Sequence, residues 1–394
     1  VTPAPRSGPL AGLRVIELAG LGPGPFCAMM LSDFGADVVR VERVDAVGAE
    51  APPPPDVLAR GRRSVAVDLK SAEGVAALLR LADGADVIIE GFRPGVVERL
   101  GVGPQVCLER NPRLVYGRIT GWGQTGPYAL VPGHDINYIA LSGALWPVGR
   151  AGQAPVAPLT YAGDFGGGGM LLAVGICAAL TERASSGRGQ VVDAAMIDGS
   201  ALLSGFLHGM RARGEWSGDR GTNLLDTGAA FYDTYQTSDG KWVSVGALEP
   251  KFYASLLGAL GIDDLPPVPP DPAGSGELRR RLTEVFAAKT RDEWCALLEG
   301  TQTCFAPVLS PWEAPEHPHN RERNLFIEHD GLVQPAPAPR FSRTPAAVAG
   351  PMVSPGQHTG EVLTEFGFTA NEIDQLRTAG AIAGPTITDS PSPD

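Results

Sequence analysis

Three segments set proton-carrying side chains among glycines. In Gly133-His134-Asp135-Ile136-Asn137-Tyr138 an apolar, helix-compatible stretch (136–145) follows, so Asp135 sits at the expected N-cap. His134 then lies at the positive end of a helix, where the dipole favours a neutral imidazole that can accept a proton. Taken alone, the segment reads as a packed or turn histidine. In Gly163-Asp164-Phe165, followed by Gly166 to Gly169, a carboxylate precedes four glycines at the predicted start of a helix. Its ordinary reading is an N-cap aspartate held by free N–H groups. The glycines favour function, because they weaken a helix start unless something must approach the backbone closely. Gly246-Ala247-Leu248-Glu249-Pro250 ends a strand and enters a helix, where a capping carboxylate and a functional one are equal readings. Groups of these types suit general acid–base chemistry.

Basic residues also cluster: Arg40 and Arg43 after a strand, then Arg60, Arg62, Arg63 and Lys70. A solvated charge run is the plain reading. A site for a phosphorylated ligand is the sharper one, since these positions follow the C-terminal ends of early parallel strands. The turn from Gly20 to Pro25 is not GxGxxG, and its prolines remove N–H donors that a pyrophosphate would use. Walker A, HExxH and GxSxG patterns are missing, and no metal-ligand cluster is visible.

The elements that must hold these residues are legible from periodicity and punctuation. A buried strand at 13–18, a glycine turn, a helix at 26–34 and a strand at 37–42 make a βαβ unit, hence a parallel sheet with a right-handed crossover. The pattern continues with helix 72–82, strand 86–90, helices near 95–100 and 104–110, and strand 113–120. A small-residue helix at 168–184, a strand at 190–193 and a helix at 195–213 follow. Residues 44–59, with prolines at 52–55, read as an exposed loop, and residues 1–9 as a loose arm. After Arg220 the texture changes. Strands 231–235 and 241–246 flank Ser238-Asp239-Gly240, a hairpin signal, and helices at 250–260, 277–289 and 291–299 follow a smaller α+β plan. A final helix is expected within 360–379. The expected division is a large α/β domain of residues 1–220 with 336–394, a small domain of 226–330, and linkers at 221–225 and 331–335.

Length and composition bound the rest. The 394 residues suit two or three domains with a large core. Lys plus Arg number 32 against 44 Asp plus Glu, a net charge of −12, which argues against nucleic acid or an anionic membrane as partner. Five scattered cysteines without CxxC spacing point to reduced, buried thiols. The longest apolar run, 170–180, falls short of the ~20 residues a membrane helix needs. The termini show no signal core, peroxisomal or prenylation signal, so a cytoplasmic protein is expected.

Several blocks resemble the class III coenzyme A transferases: LAGLRVIELA at 10–19, DFGADVVRVE at 33–42, RRSVAVDLK at 62–70, EGFRPG at 90–95, GWGQTGP at 121–127 and GRGQVVD at 187–193. Within that family the segments around His134, Asp164 and Glu249 resemble the α-methylacyl-CoA racemase branch, its bacterial members in particular. The resemblance spans about residues 9–345; the prolines at 52–55 look like an insertion, and the tail after Pro345 matches no block. It implies an intertwined homodimer, each chain with a Rossmann-like large domain and a small domain. The active site would lie between the large domain of one subunit and the small domain of the other. It also implies His134 and Asp164 as two catalytic acid/bases, with Glu249 paired to the histidine. Arg40, Arg43, Arg63, Lys70, Arg93, Arg99, Asp135 and Tyr138 would line the CoA site. The reaction implied is interconversion of (R)- and (S)-2-methylacyl-CoA, with CoA as part of the substrate and no separate cofactor or metal. Removing an α-proton and returning one to the opposite face takes two groups of matched basicity and a donor aimed at the enolate oxygen, for which the Asp135 N–H is a candidate. The alternative is CoA transfer with Asp164 as nucleophile, which needs no second proton relay. A silent thioester-binding protein would have no reason to keep His134, Asp164 and Glu249 together.

Overall fold

A computed structural model describes residues 7–48, 55–216 and 218–385. The arm at 1–6, Pro52 to Pro54 of the proline run and the tail at 386–394 lie outside the described residues. The chain divides into two compact units. The first comprises residues 1–142, 159–203 and 326–394, the second 143–158 and 204–325. This differs from the division read in the sequence, which gave 143–158 and 204–220 to the larger unit, 326–330 to the smaller one, and 221–225 and 331–335 to linkers.

The larger unit is built on a seven-stranded sheet. Its strands are β1 (Arg14–Leu18), β2 (Asp37–Glu42), β3 (Arg62–Val67), β4 (Val87–Glu90), β5 (Val115–Thr120), β6 (Val191–Ala195) and, from near the described C-terminal end, β12 (Ile382–Ala383). The order is β12-β3-β2-β1-β4-β5-β6, parallel throughout except β12, which runs antiparallel to β3. Strand β3 was not anticipated as a strand, because its two leading arginines hide a β-branched run buried along its whole length. Alternation fixes the two faces. Ile16, Leu18, Val39, Val41, Ile88 and Tyr116 point to one side, and Val15, Val38, Val87, Ile89 and Val115 to the other. The first face is covered by α2 (Ala72–Asp83), α4 (Pro104–Arg110), α13 (Thr359–Glu365) and α14 (Ala370–Thr378). The single final helix expected from the sequence is therefore two, broken at Gly367 with φ of 84°. The second face is covered by α1 (Pro23–Asp33) and α6 (Leu171–Ser186), through Cys27, Ala28, Leu31, Leu172, Ala173 and Ile176. Each large aliphatic side chain buried this way is worth roughly 1.5–3 kcal/mol.

The chain reverses its direction of winding between β1 and β4. That switch point opens a crevice at their C-terminal ends, where ligands bind in open α/β sheets. Between β4 and β6 lie α3 (Val96–Arg99), α4, and α5 (Asp135–Leu141), then a ten-residue π-helix, Tyr161–Met170, which runs directly into α6. Joined, Tyr161–Ser186 is long and apolar enough to span a bilayer by length and composition alone, longer than the apolar run suggested. Its buried side chains belong to the sheet core, so it is read as a core helix. After β6, α7 (Met196–Leu203) and α8 (Gly205–Ala212) replace the one helix expected.

The smaller unit holds an antiparallel sheet, β7 (Tyr232–Gln236), β8 (Trp242–Gly246) and β9 (Phe305–Val308), with α9 (Pro250–Leu260), α10 (Gly276–Phe286), α11 (Arg291–Leu298) and α12 (Pro318–Glu322). Its core gathers Phe231, Tyr235, Tyr253, Phe286 and Trp294. The residues expected to be a linker at 331–335 belong instead to the larger unit, where Leu332–Pro335 form strand β11, paired with β10 (Phe326–His329). Asp330 and Gly331 form the tight turn, with φ of 53° and 71°.

Candidate active site

The crevice at the switch point is a cavity of about 400 Å³. Its walls come from the turn after β1 (Gly20 to Pro25), the turn after β4 (Gly91 to Pro94), the residues after β5 (Gly121, Trp122), and His134, Tyr138 and Asp164. The two proposed proton carriers therefore face one space.

Their local structure differs from the sequence reading. His134, not Asp135, is the N-cap of α5; its own N–H donates to Asn137 Oδ1 at 3.0 Å, and its side chain is exposed. Asp135 is the first helical residue and is buried, and its Oδ1 accepts the backbone N–H of Asp164 at 2.8 Å. The Asp135 carboxylate thus holds the Asp164 backbone, and Asp135 is not on the cavity wall. Asp164 does not stand at an α-helix start; it lies in the first turn of the π-helix, where Phe165 N–H reaches back five residues to the Thr160 carbonyl. The glycines serve packing. A Cβ at Gly167 would fall 2.8 Å from both Ala162 O and Ser200 N, one at Gly199 on α7 would fall 1.9 Å from Gly167 O, and one at Gly169 would fall 2.5 Å from Pro23 O. What approaches this backbone closely is α7 and α1.

Burial, followed by the charge on Asp135, pushes the Asp164 carboxyl up to about 6, against an opposing pull from His134. That brings a carboxylate toward the range of an imidazole, as two groups passing one proton require. Burial likewise raises the Tyr138 phenol, which donates to Gly133 O and packs edge-on against Trp122 at 4.8 Å. Trp122 was not singled out from the sequence, although an aromatic between two glycines just past a strand end is the signal that marks it.

The basic positions separate sharply. Arg63 is buried and bonded to Asp37, Glu361 and Glu365, an ion-pair centre within the fold that lines neither the crevice at the switch point nor the cavity beside Lys70. Arg40 bonds Glu17 at 2.8 Å, Glu42 at 2.7 Å and the Gly20 carbonyl at 3.2 Å. Its guanidinium therefore fixes the turn after β1. Arg60 and Arg62 are buried too, paired with Asp33 and Glu17. Arg43 is largely exposed and ion-paired with Asp45, and with exposed Lys70 it lines a second cavity of about 470 Å³ at the ends of β1, β2 and β3. Leu18 and Phe92 line both cavities. Arg93 is exposed on the wall of the first, and Arg99 is exposed at the end of α3.

Glu249 belongs to the smaller unit. It is exposed and is the N-cap of α9, yet its side chain makes no capping bond, so the plain capping reading is not realised. Its charge helps, after burial, to raise the thiol of Cys304. Cys304 is exposed, against the expectation of buried cysteines; Cys27 and Cys107 are buried.

Comparison with known proteins narrows the chemistry. Residues 10–359 match the family model for CoA-transferase family III. The mouse protein named alpha-methylacyl-CoA racemase is 50% identical over 372 residues, covering 94% of this chain and 96% of its own. The human protein of the same name is 47% identical over 378 residues, with the same coverage. A crystal structure of a CAIB/BAIF family protein from Brucella suis superposes with a TM-score of 0.79 at 27% identity, covering 92% of this chain and all of that one.

Proposed function

We propose that this chain, which belongs to CoA-transferase family III, is a racemase that interconverts (R)- and (S)-2-methylacyl-CoA thioesters. The observation that carries the reading is His134 and Asp164 on the wall of one cavity, the carboxyl raised to about 6. The naming of the mouse and human relatives supports it. One of the two removes the α-proton; the electron pair passes into the thioester carbonyl, giving an enolate; the other returns a proton to the opposite face. The first amide of α5, the Asp135 N–H, has no carbonyl to reach within the helix and is our candidate donor to the enolate oxygen.

In this reading the phosphates and nucleotide of CoA occupy the second cavity beside Arg43 and Lys70, and pantetheine passes Phe92 toward His134. CoA enters as part of the substrate, and the proton chemistry calls for no resident cofactor. We further propose a homodimer in which Glu249 of the partner subunit pairs with His134, a cytoplasmic location compatible with five unpaired thiols, and a place in the metabolism of branched fatty acyl chains and other lipids.

CoA transfer is the second reading, because the family carries that name. There Asp164 attacks the acyl carbonyl, and a depressed rather than raised carboxyl would suit it better. A single-enantiomer 2-methylacyl-CoA in deuterated water, with and without an acceptor acid, separates the two. Racemisation with α-deuterium uptake, independent of acceptor, is expected. Acceptor-dependent CoA transfer without α-exchange would overturn the racemase reading.

A further inference from the structure

The segment that joins the two cavities is held from beneath by a buried charge relay. Glu90, the last residue of β4, is fully buried, and opposite it in register on β5 stands Arg118, also buried. Glu90 Oε1 accepts from Arg118 Nε at 2.7 Å, and Glu90 Oε2 accepts the backbone N–H of Phe92, again at 2.7 Å. Arg118 Nη1 reaches Glu98 on α3 at 2.8 Å. The turn between β4 and α3 is therefore gripped at its start through Phe92 and at its far side through Glu98, with one guanidinium as the fulcrum. Between the grips lie Phe92, which lines both cavities, and Arg93, which lines the first; Arg99 follows Glu98 directly.

Burying a carboxylate and a guanidinium is costly, and a hydrophobic pair of similar volume often serves stability as well or better. What such a pair could not do is accept the Phe92 N–H and tie α3 to the same point. We infer that Glu90, Arg118 and Glu98 are positioning residues, which fix Phe92 and, two residues past Glu98, Leu100, both on the wall of the second cavity, for the nucleotide-bearing part of a CoA thioester. This rests on the proposed function and names the device by which the site tells CoA from a shorter thiol.

The test compares 2-methylacyl-CoA with the same acyl group on pantetheine, which lacks the nucleotide. Glu90→Gln keeps the shape and removes the charge that orients Arg118; Glu98→Gln loosens the exposed end of the relay, where folding is not at risk. Both variants should raise KM for the CoA thioester, Glu90→Gln by about tenfold and Glu98→Gln by about threefold, with kcat within about threefold. Tenfold corresponds to about 1.4 kcal/mol. KM for the pantetheine thioester, which passes Phe92 but does not reach into the second cavity, should rise by no more than about twofold. Calorimetric titration of CoA itself should show the same weakening, and it reads the relay even if wild type does not exchange the α-proton, a result that would sink only the racemase reading. Equal rises in KM for both thioesters, or wild-type CoA affinity in Glu98→Gln, would overturn the inference.

Discussion

The Asp164 backbone N–H donates to the Asp135 carboxylate at 2.8 Å, so the residue next to His134 anchors the backbone of the other proton carrier proposed for the site. The bond closes α5 onto the π-helix and sets an anion near the Asp164 carboxyl, where it adds to burial in raising it. One short contact thus governs both where Asp164 stands and when it ionises.

A pH dependence follows. A racemising pair needs one proton between its two members. Below about 6 Asp164 takes up a proton, its carboxylate is lost as a base, and kcat/KM falls by roughly tenfold per pH unit. Because the equilibrium constant is close to one, both stereoisomers must trace the same limb. Asp135→Asn keeps an oxygen for the Asp164 N–H but removes the charge, so the limb should move to lower pH. Rate profiles from pH 4.5 to 8 check this; an unmoved limb would separate Asp135 from the titration.

The exposed and buried arginines should fail in different ways. Arg43→Ala should weaken CoA binding by about tenfold and flatten its salt dependence, with little change in melting temperature, since its bond to Asp45 is at the surface. Arg63→Ala strands the carboxylates of Asp37, Glu361 and Glu365 and should cost about 3 kcal/mol of stability. Binding titrations and urea melts distinguish them.

The glycine run should prove structural. A methyl at Gly199 would overlap the Gly167 carbonyl, 1.9 Å away, with backbone rather than a flexible side chain in the way. Gly199→Ala should therefore destabilise the larger unit by about 2–3 kcal/mol or more, as overpacking does. A wild-type melting curve for this variant would contradict the close packing of α7 on the π-helix.

How much of this was readable in sequence depended on the range over which each signal acts. The strands and helices of the βαβ winding followed from local periodicity, and β2, α4 and α9 carry the expected bounds. Strand β3 was missed because Arg62 and Arg63 look solvated until Glu17, Asp37 and the returning C-terminal helix are brought beside them. The same holds for the site. Residue type picked out His134 and Asp164, but the meaning of Gly166 to Gly169 and the task of Asp135 depend on partners roughly thirty residues away. The Asp330-Gly331 turn was a local signal, legible in the sequence and passed over.

Subunit exchange tests the proposed dimer. If Glu249 of the partner subunit completes the site around His134, refolding inactive His134→Ala with inactive Glu249→Ala chains yields heterodimers with one intact site and one doubly damaged. With random pairing half of the dimers are mixed, so activity should recover to about one quarter of wild type. A mixture that stays silent would mean that each site is built within one chain.

The last prediction concerns the two faces of Cα. If His134 and Asp164 stand on opposite sides, each stereoisomer loses its proton to a different residue. Asp164→Asn keeps the side chain's shape and removes its basicity. It should abolish racemisation while leaving slow α-deuterium exchange in the one stereoisomer that His134 deprotonates, with retention of configuration. His134→Ala should leave exchange only in the other. Asp164→Asn also carries a stability signature. The wild-type carboxyl is raised in the folded protein, so ionising it weakens the fold; that penalty is absent below pH 4 and fully present above about 6. The asparagine variant should thus melt above wild type at pH 7.5, by about 1 kcal/mol once half-exposure is allowed for, and level with it at pH 4. Proton exchange followed by NMR and paired melts at the two pH values decide the matter. Exchange of both stereoisomers in Asp164→Asn would place a single base at the site and end the two-base mechanism.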